Sequence, residues 1–162
     1  MRIELSEGSG FSAAHFIFGH QKCEHLHGHN WRLSVTVEGE QNELGLVVDF
    51  LELKSIVGKI CDTYDHRLIL PSKNQTVNVL SKGKNICISV GDREFEFPCK
   101  DVVWLPAINT TVEEFARVFA DEIVKSMSGR PNVEKITVTV EESPGSSAKE
   151  DRRVKTDRSC RC

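Results

Sequence analysis

The sequence predicts a single α+β domain in which two helices pack on one face of an antiparallel sheet. Three observations carry that expectation. Apolar and polar residues alternate around 3–5, 31–37 and 133–140, as they do in half-buried strands. Two windows, 50–64 and 112–127, instead repeat their apolar residues at helical spacing. Between the helices lie short alternating runs parted by glycine turns. The order β-β-α-(β insert)-α-β groups strands together rather than alternating them with helices, which is the α+β pattern.

Taken in order, residues 2–17 read as one long strand. Ile3 and Leu5 alternate against Arg2, Glu4 and Ser6, Gly8-Ser9-Gly10 breaks or bulges the strand, and it resumes at Phe11. Residues 18–30 are a loop rich in Gly, His and charge, leading to a second strand at 31–38. A hairpin between these strands would bring His15 near His27 and His29. After a polar turn, Leu46-Val47-Val48 reads as a short buried strand or extended entry. Asp49 is then a helix N-cap, with Glu52 completing a capping box. Phe50, Leu53, Ile56, Val57 and Ile60 form the stripe of a helix ending near Tyr64. Residues 72–105 make a β-meander or hairpin insertion, with strand-like runs at 76–80, 85–90 and 94–97. Thr110-Thr111-Val112-Glu113 is a second capping box. It opens a helix with the stripe Val112, Phe115, Ala116, Phe119, Ile123 and Met127, which stops at Gly129-Arg130-Pro131. The last strand, 133–140, runs into Glu141 and Glu142. The domain is therefore set at 1–143, with 144–162 a flexible polar tail.

Composition narrows the function. The 162 residues suffice for one buried core, and 39% hydrophobic with 28% charged residues is the balance of an ordinary globular protein. A net charge of −3 argues against nucleic acid as the partner. The one basic cluster, from Arg152 to Arg158, falls in the tail. No apolar run approaches the roughly 20 residues needed to span a bilayer, and no signal peptide opens the chain, so a cytoplasmic protein is expected. In that compartment the six cysteines are not expected to form a disulfide framework. Cys61 falls in the helical stripe and reads as core, whereas Cys160 and Cys162 could bind a metal or oxidise.

The chemistry concentrates in Cys23-Glu24-His25-Leu26-His27-Gly28-His29. On a strand, side chains two apart share a face, so His27 and His29 stand side by side, and Gly28 removes the side chain that would crowd the opposite face. With His15 they would leave one position open on a zinc ion, as a catalytic site requires. His20 and His25 compete for the metal less well, being outside the strand alternation. Cys23 is either a fourth, closing ligand or a thiolate that moves protons. Asp65-His66 has the form of a carboxylate orienting an imidazole that could activate that thiol. Glu142 is either an exposed strand-end carboxylate or a group that accepts two N–H bonds from a 2-amino-4-oxo pyrimidine edge.

Together these residues resemble the 6-pyruvoyltetrahydropterin synthase / 6-carboxytetrahydropterin synthase family. The matching pieces are F-S-A-A-H (11–15), C-E-H-L-H-G-H-N-W (23–31), G-L-V-V-D-F-x-x-L-K (45–54), Y-D-H-R-L (64–68), T-V-E-E (111–114) and V-E-E-S (140–143), in family order. The resemblance implies a tunnelling fold, a four-stranded antiparallel sheet with two helices that assembles into trimers and hexamers with active sites between subunits. It implies a Zn2+ lyase acting on a pterin triphosphate, 7,8-dihydroneopterin triphosphate. His15, His27 and His29 match the zinc ligands, Cys23 the catalytic thiol, Asp65 and His66 its relay partners, and Glu142 the pterin anchor. Thr111 and Glu113 match a segment bordering the pterin pocket. The three-residue gap between Cys23 and His27 looks like the 6-carboxytetrahydropterin synthases of 7-deazapurine (queuosine-type) biosynthesis. Glu24, three residues before His27, sits where a third branch, forming 6-hydroxymethyl-dihydropterin, keeps its acid–base group. A pyruvoyl product and a non-catalytic zinc or pterin-binding module are the other readings.

Overall fold

The computed structural model describes residues 1–154 apart from Glu7 and Gly91. Cys160, Cys162 and the tail's basic residues from Lys155 to Arg158 lie outside the described residues. Strands β1 (Arg2–Leu5) and β2 (Gly10–His15) are halves of one interrupted strand, both antiparallel to β3 (His27–Gly39). Leu5 faces Val35 while Gly10 faces Arg32, so this strand takes five steps where its partner takes three. The two extra residues bulge out at the expected glycines, and the Ser9 carbonyl accepts the Leu33 N–H at 3.0 Å to rejoin the ladder.

Helix α1 (Phe50–Tyr64) and strand β4 (Arg67–Pro71) follow, then β5 (Asn78–Lys82), β6 (Asn85–Val90), β7 (Arg93–Pro98) and β8 (Val102–Leu105). Helix α2 (Val112–Ser126), β9 (Val133–Ser143) and β10 (Ser146–Arg153) complete the order. The main sheet runs β10-β9-β3-β2-β4-β8, with β1 beside the far half of β3, and β5-β6-β7 form a separate three-stranded meander. Both helices share one core with the inward residues of β3 and β9, among them Leu33, Val35, Val138 and Val140. Phe11, Trp31, Tyr64, Phe115 and Phe119 form its aromatic centre, with ring centroids 4.6 to 6.3 Å apart.

Three expectations need correction. The sheet is wider than four antiparallel strands. β10, β9, β3 and the β1/β2 strand are antiparallel, but β4 lies parallel to β2 and β8 parallel to β4. Helix α1 is a crossover that returns the chain to the end from which β2 started, and the meander does the same for β8. Second, the stretch after 143 is not all tail. Gly145, at φ +85°, turns the chain so that Ser146–Arg153 pairs with β9, and Val154 is buried against the core. Third, neither capping box forms. The Asp49 side chain accepts the Leu51 N–H at 2.8 Å as expected, but Glu52 pairs with Arg130. Thr111 stands at the α2 N-cap without a side-chain bond, and the neighbouring Thr110 hydroxyl donates to the Phe16 carbonyl. Residues 46–48 form no strand, although Val47 and Val48 are buried.

The meander closes a second apolar cluster. Phe16, Leu68, Leu70, Val77, Ile86 and Ile88 are buried there, with Phe95 and Phe97 packed against them. It therefore adds a wall to the domain rather than a domain of its own.

Candidate metal centre

The pairing of β2 with β3 puts His15 opposite His27 and Ala13 opposite His29. Residues Phe11, Ala13 and His15 of β2 point inward, and alternation along β3 turns His27, His29 and Trp31 to the same side. Ring centroids are 4.4 Å apart for His15 and His27, 5.4 Å for His15 and His29, and 5.2 Å for His27 and His29. Trp31 floors the group, 5.1 Å from His15 and 5.4 Å from His29. On β9 the inward series Ile136, Val138, Val140 continues to Glu142, whose Oε1 lies 3.5 Å from His15 Nε2 and 3.3 Å from His29 Nε2. One ligand atom from each of His15, His27, His29 and Glu142 lies within 4.8 Å of every other.

The hydrogen bonds decide which ring nitrogens are free. His15 Nδ1 meets the Thr110 carbonyl at 2.8 Å, so it carries the proton and donates, and the lone pair stays on Nε2. That Nε2 is fully buried without a hydrogen-bond partner. Likewise His27 Nδ1 donates to the His25 carbonyl at 2.7 Å, leaving its Nε2 available. Burial, the largest influence, pushes the His15 pKa down to about 4; the bond to Thr110 opposes this, and His27 and His29 add to it. A neutral imidazole with an orphaned, inward lone pair fits a metal. Three imidazoles and a carboxylate are a nitrogen-and-oxygen donor set suited to zinc.

Gly28 lies between the ligands. A Cβ there would stand 2.9 Å from the Ala13 carbonyl oxygen and 3.4 Å from the Ala14 Cα, so the strands approach this closely only around glycine. Thr110, whose carbonyl orients His15, has no signature in the sequence, where Thr110-Thr111 marks only a helix start. It is held by Asn109, whose side chain bonds the Thr110 N–H and both the N–H and carbonyl of Phe18, each at 3.0 Å. His25 is not in the ligand group, but its carbonyl fixes the His27 ring.

The other expected residues are not members of this ligand group. Cys23 is half-buried in the 3-10 turn Gln21–Glu24, and its thiol has no hydrogen-bond partner among the described residues. Asp65 and His66 follow α1. Asp65 Oδ1 accepts the Ser12 N–H at 2.8 Å and Oδ2 meets His66 Nδ1 at 2.8 Å; these bonds, that from Ser12 first, hold its carboxyl below the usual range. His66 sits at φ +55° and is exposed, beside a shallow dish formed with Ser12, Ala14, Gly28 and Asn30. Ser12, Ala14, Gly28 and Asn30 belong to the outer face of β2 and β3, and the dish is also lined by Ala13 and His29. Thr111 is half-buried and Glu113 exposed at the start of α2, next to Thr110. Glu24 is engaged by Arg93 of the meander, 3.0 Å from carboxylate to guanidinium, a partner that the sequence did not suggest.

The sequence matches the model of the family described as 6-pyruvoyl tetrahydropterin synthase over residues 4–153. It is 37% identical over 154 residues, 91% of this chain and 94% of the other, to a Methanocaldococcus jannaschii protein provisionally named 6-carboxy-5,6,7,8-tetrahydropterin synthase. A Haemophilus influenzae protein with that name is 32% identical over 121 residues, covering 71% of this chain and 77% of its own. The fold superposes on Plasmodium vivax 6-pyruvoyltetrahydropterin synthase with a TM-score of 0.86 at 31% identity, covering 95% of this chain and 99% of that one. In two structures of that protein a glutamate described as a catalytic residue is replaced, by alanine in one and cysteine in the other. Among the described residues no helix is long and apolar enough to cross a membrane.

Proposed function

The chain belongs to the 6-pyruvoyl tetrahydropterin synthase family, and from that premise we propose that it is a zinc lyase converting 7,8-dihydroneopterin triphosphate to 6-carboxy-5,6,7,8-tetrahydropterin. The observation that carries this reading is the ligand group itself: two imidazoles held by carbonyls at Nδ1, with His29 and Glu142 sharing the pocket into which their Nε2 atoms turn. The product rests on the three-residue gap from Cys23 to His27 and on the names of the M. jannaschii and H. influenzae relatives.

His15, His27 and His29 would hold the ion, which supplies Lewis acidity toward the hydroxyls of the substrate side chain. Glu142 borders the same point, so a pterin whose paired ring N–H groups it accepts presents its side chain to the ligands. Thr111 and Glu113, at the start of α2, border the ring. Cys23, as thiolate, takes a proton from a side-chain carbon and returns one, and triphosphate leaves by elimination; water then cleaves the bond between the first and second side-chain carbons, leaving the first as the carboxylate and releasing the outer two as a two-carbon aldehyde. The relay pair Asp65–His66 comes from a neighbouring copy. Its position on the outer face of β2 and β3 supports this, because a second chain docked there would bring its own Cys23 turn to the pair. The working form is then a cytoplasmic trimer or hexamer with active sites between subunits.

The test is direct. Zinc-loaded protein is given 7,8-dihydroneopterin triphosphate and the products are identified by mass spectrometry. The expected product is 6-carboxytetrahydropterin, lost with Cys23→Ala. Formation of 6-hydroxymethyl-dihydropterin or 6-pyruvoyltetrahydropterin instead refutes the assignment, and no product at all refutes the enzyme reading.

A further inference from the structure

Beyond that reading, and resting on it, the geometry points to Arg93 as a positioning residue: it withdraws Glu24 from proton transfer and fixes the turn that carries Cys23. Alternation along β7 puts Arg93, Phe95 and Phe97 on the side facing the domain and Glu94 and Glu96 on the other. Phe95 packs on Phe16 with centroids 5.0 Å apart, so docking the meander against the end of β2 aims Arg93 at the loop just beyond it. There one guanidinium bonds Glu24 twice, through NH1 to the backbone carbonyl at 2.9 Å and through NH2 to Oε2 at 3.0 Å. The second carboxylate oxygen, Oε1, accepts the Gly19 N–H at 2.9 Å.

Both oxygens of Glu24 are therefore engaged, one by a charged donor in a half-buried pair. To act as a base on a substrate the carboxylate would have to break a charge-assisted bond and leave the guanidinium without its partner. Cys23 is one residue away with a free thiol. Its backbone is closed into the same turn, with the Ile17 N–H donating to the Cys23 carbonyl at 2.9 Å and the Cys23 N–H to the His20 carbonyl at 2.9 Å. Of two neighbouring acid–base groups, the meander ties down one and leaves the other available. The insertion is thus a specificity device acting on the Cys23 turn, built from a strand whose apolar side positions its one cation.

Two measurements on the zinc-loaded full chain test this. The first does not depend on turnover. Alkylation of Cys23 by iodoacetamide, located by peptide mass mapping, is expected to be on the order of fivefold faster in Arg93→Met, as the released turn opens more often, and intermediate in Arg93→Lys. Equal rates in all three proteins overturn the proposal. The second is product formation in a Cys23→Ala background. Adding Arg93→Met is expected to raise turnover about tenfold or more over Cys23→Ala alone, with a shifted product and with loss of the gain when Glu24→Gln is added. If Cys23→Ala already turns over through Glu24 with Arg93 in place, or if the gain survives Glu24→Gln, the proposal fails. Should the unmodified protein form no product, the proposed function has failed, and the alkylation rates alone decide the role of Arg93.

Discussion

Replacing either of two glycines by alanine is expected to move stability in opposite directions. At Gly58, in α1, an added Cβ meets nothing within 4 Å and the backbone is helical, so Gly58→Ala gains about 0.5–1 kcal/mol from helix propensity and a less flexible unfolded chain. At Gly28 the same unfolded-state gain, about 0.4–1 kcal/mol, is opposed by a contact 2.9 Å from the Ala13 carbonyl oxygen. That oxygen is backbone, fixed in the β2–β3 ladder, and cannot rotate away. Relief requires the strands to part by some tenths of an ångström, at an overpacking cost of about 1–3 kcal/mol. The cost wins, leaving a net loss of about 1–2 kcal/mol, which for a chain of this size lowers Tm by about 2–8 °C. Since the neighbours of Gly28 are His27 and His29, and Ala13 and Ala14 lead directly to His15, parting the strands also spreads the ligands. Scanning calorimetry with and without zinc separates the effects: Gly28→Ala loses part of the zinc-induced rise in Tm, whereas Gly58→Ala keeps all of it. A Gly28→Ala protein as stable as the parent and equally stabilised by zinc would refute the close-approach argument.

Three further outcomes follow from the same geometry. With the His15 pKa near 4 in the folded chain and 6.5 in the unfolded, the metal-free protein binds fewer protons than its unfolded state between those values, so stability present above pH 6.5 falls as pH drops toward 4, by about 3 kcal/mol; urea unfolding across that window should show the slope, and His15→Asn should remove it. If Cys23 and His66 of one active site come from different copies, mixing inactive Cys23→Ala and His66→Ala proteins through dissociation and reassembly restores about a quarter of the sites, whereas sites built within one chain give no recovery. Burial, with Asp62 and Asp65 nearby, pushes the Cys61 thiol up to about 11, so at pH 8 it should resist iodoacetamide until the protein is unfolded, and rapid labelling of Cys61 in the native protein would contradict its place in the core.

Where one rule governed a segment, the sequence was legible. Helix α1 spans the residues that its stripe and Asp49 predicted, because amphipathic spacing and an N-cap act within one turn of the chain. The interrupted first strand was legible because Gly8 and Gly10 mark where pairing must give way. In β10 two signals conflicted. Pro144-Gly145 is a turn dipeptide with a mechanism, but Ser146–Arg153 offers only Ala148 as an apolar residue, since an edge strand hides little. Polarity there marks an edge strand rather than a flexible tail. The parallel strands β4 and β8 escaped because four or five residues do not reveal the direction of their partners.

The site divides along the same line. His27 and His29 are two residues apart on one strand, so their shared face follows from the pleat alone, and His15 joins them through a hairpin. Thr110 lies 95 residues from the ring that it orients and Arg93 lies 69 residues from Glu24. Neither pair has a local signature, because a carbonyl acceptor belongs to every residue and a single arginine in a charged meander resembles any solvated one. What sequence could have offered for Arg93 was phase: it is in register with Phe95 and Phe97, the two residues of that strand that must face inward. A cation in phase with an apolar face is aimed at the protein, and within reach of such a residue a carboxylate partner is to be sought. Applied to Glu142, in phase with Ile136, Val138 and Val140, the same reasoning selects it over Glu141, which pairs with Arg32 on the other face. Strand phase therefore separates the two adjacent glutamates and separates Arg93 from the solvated cations around it, and in both places the inward residue is the one that meets the site.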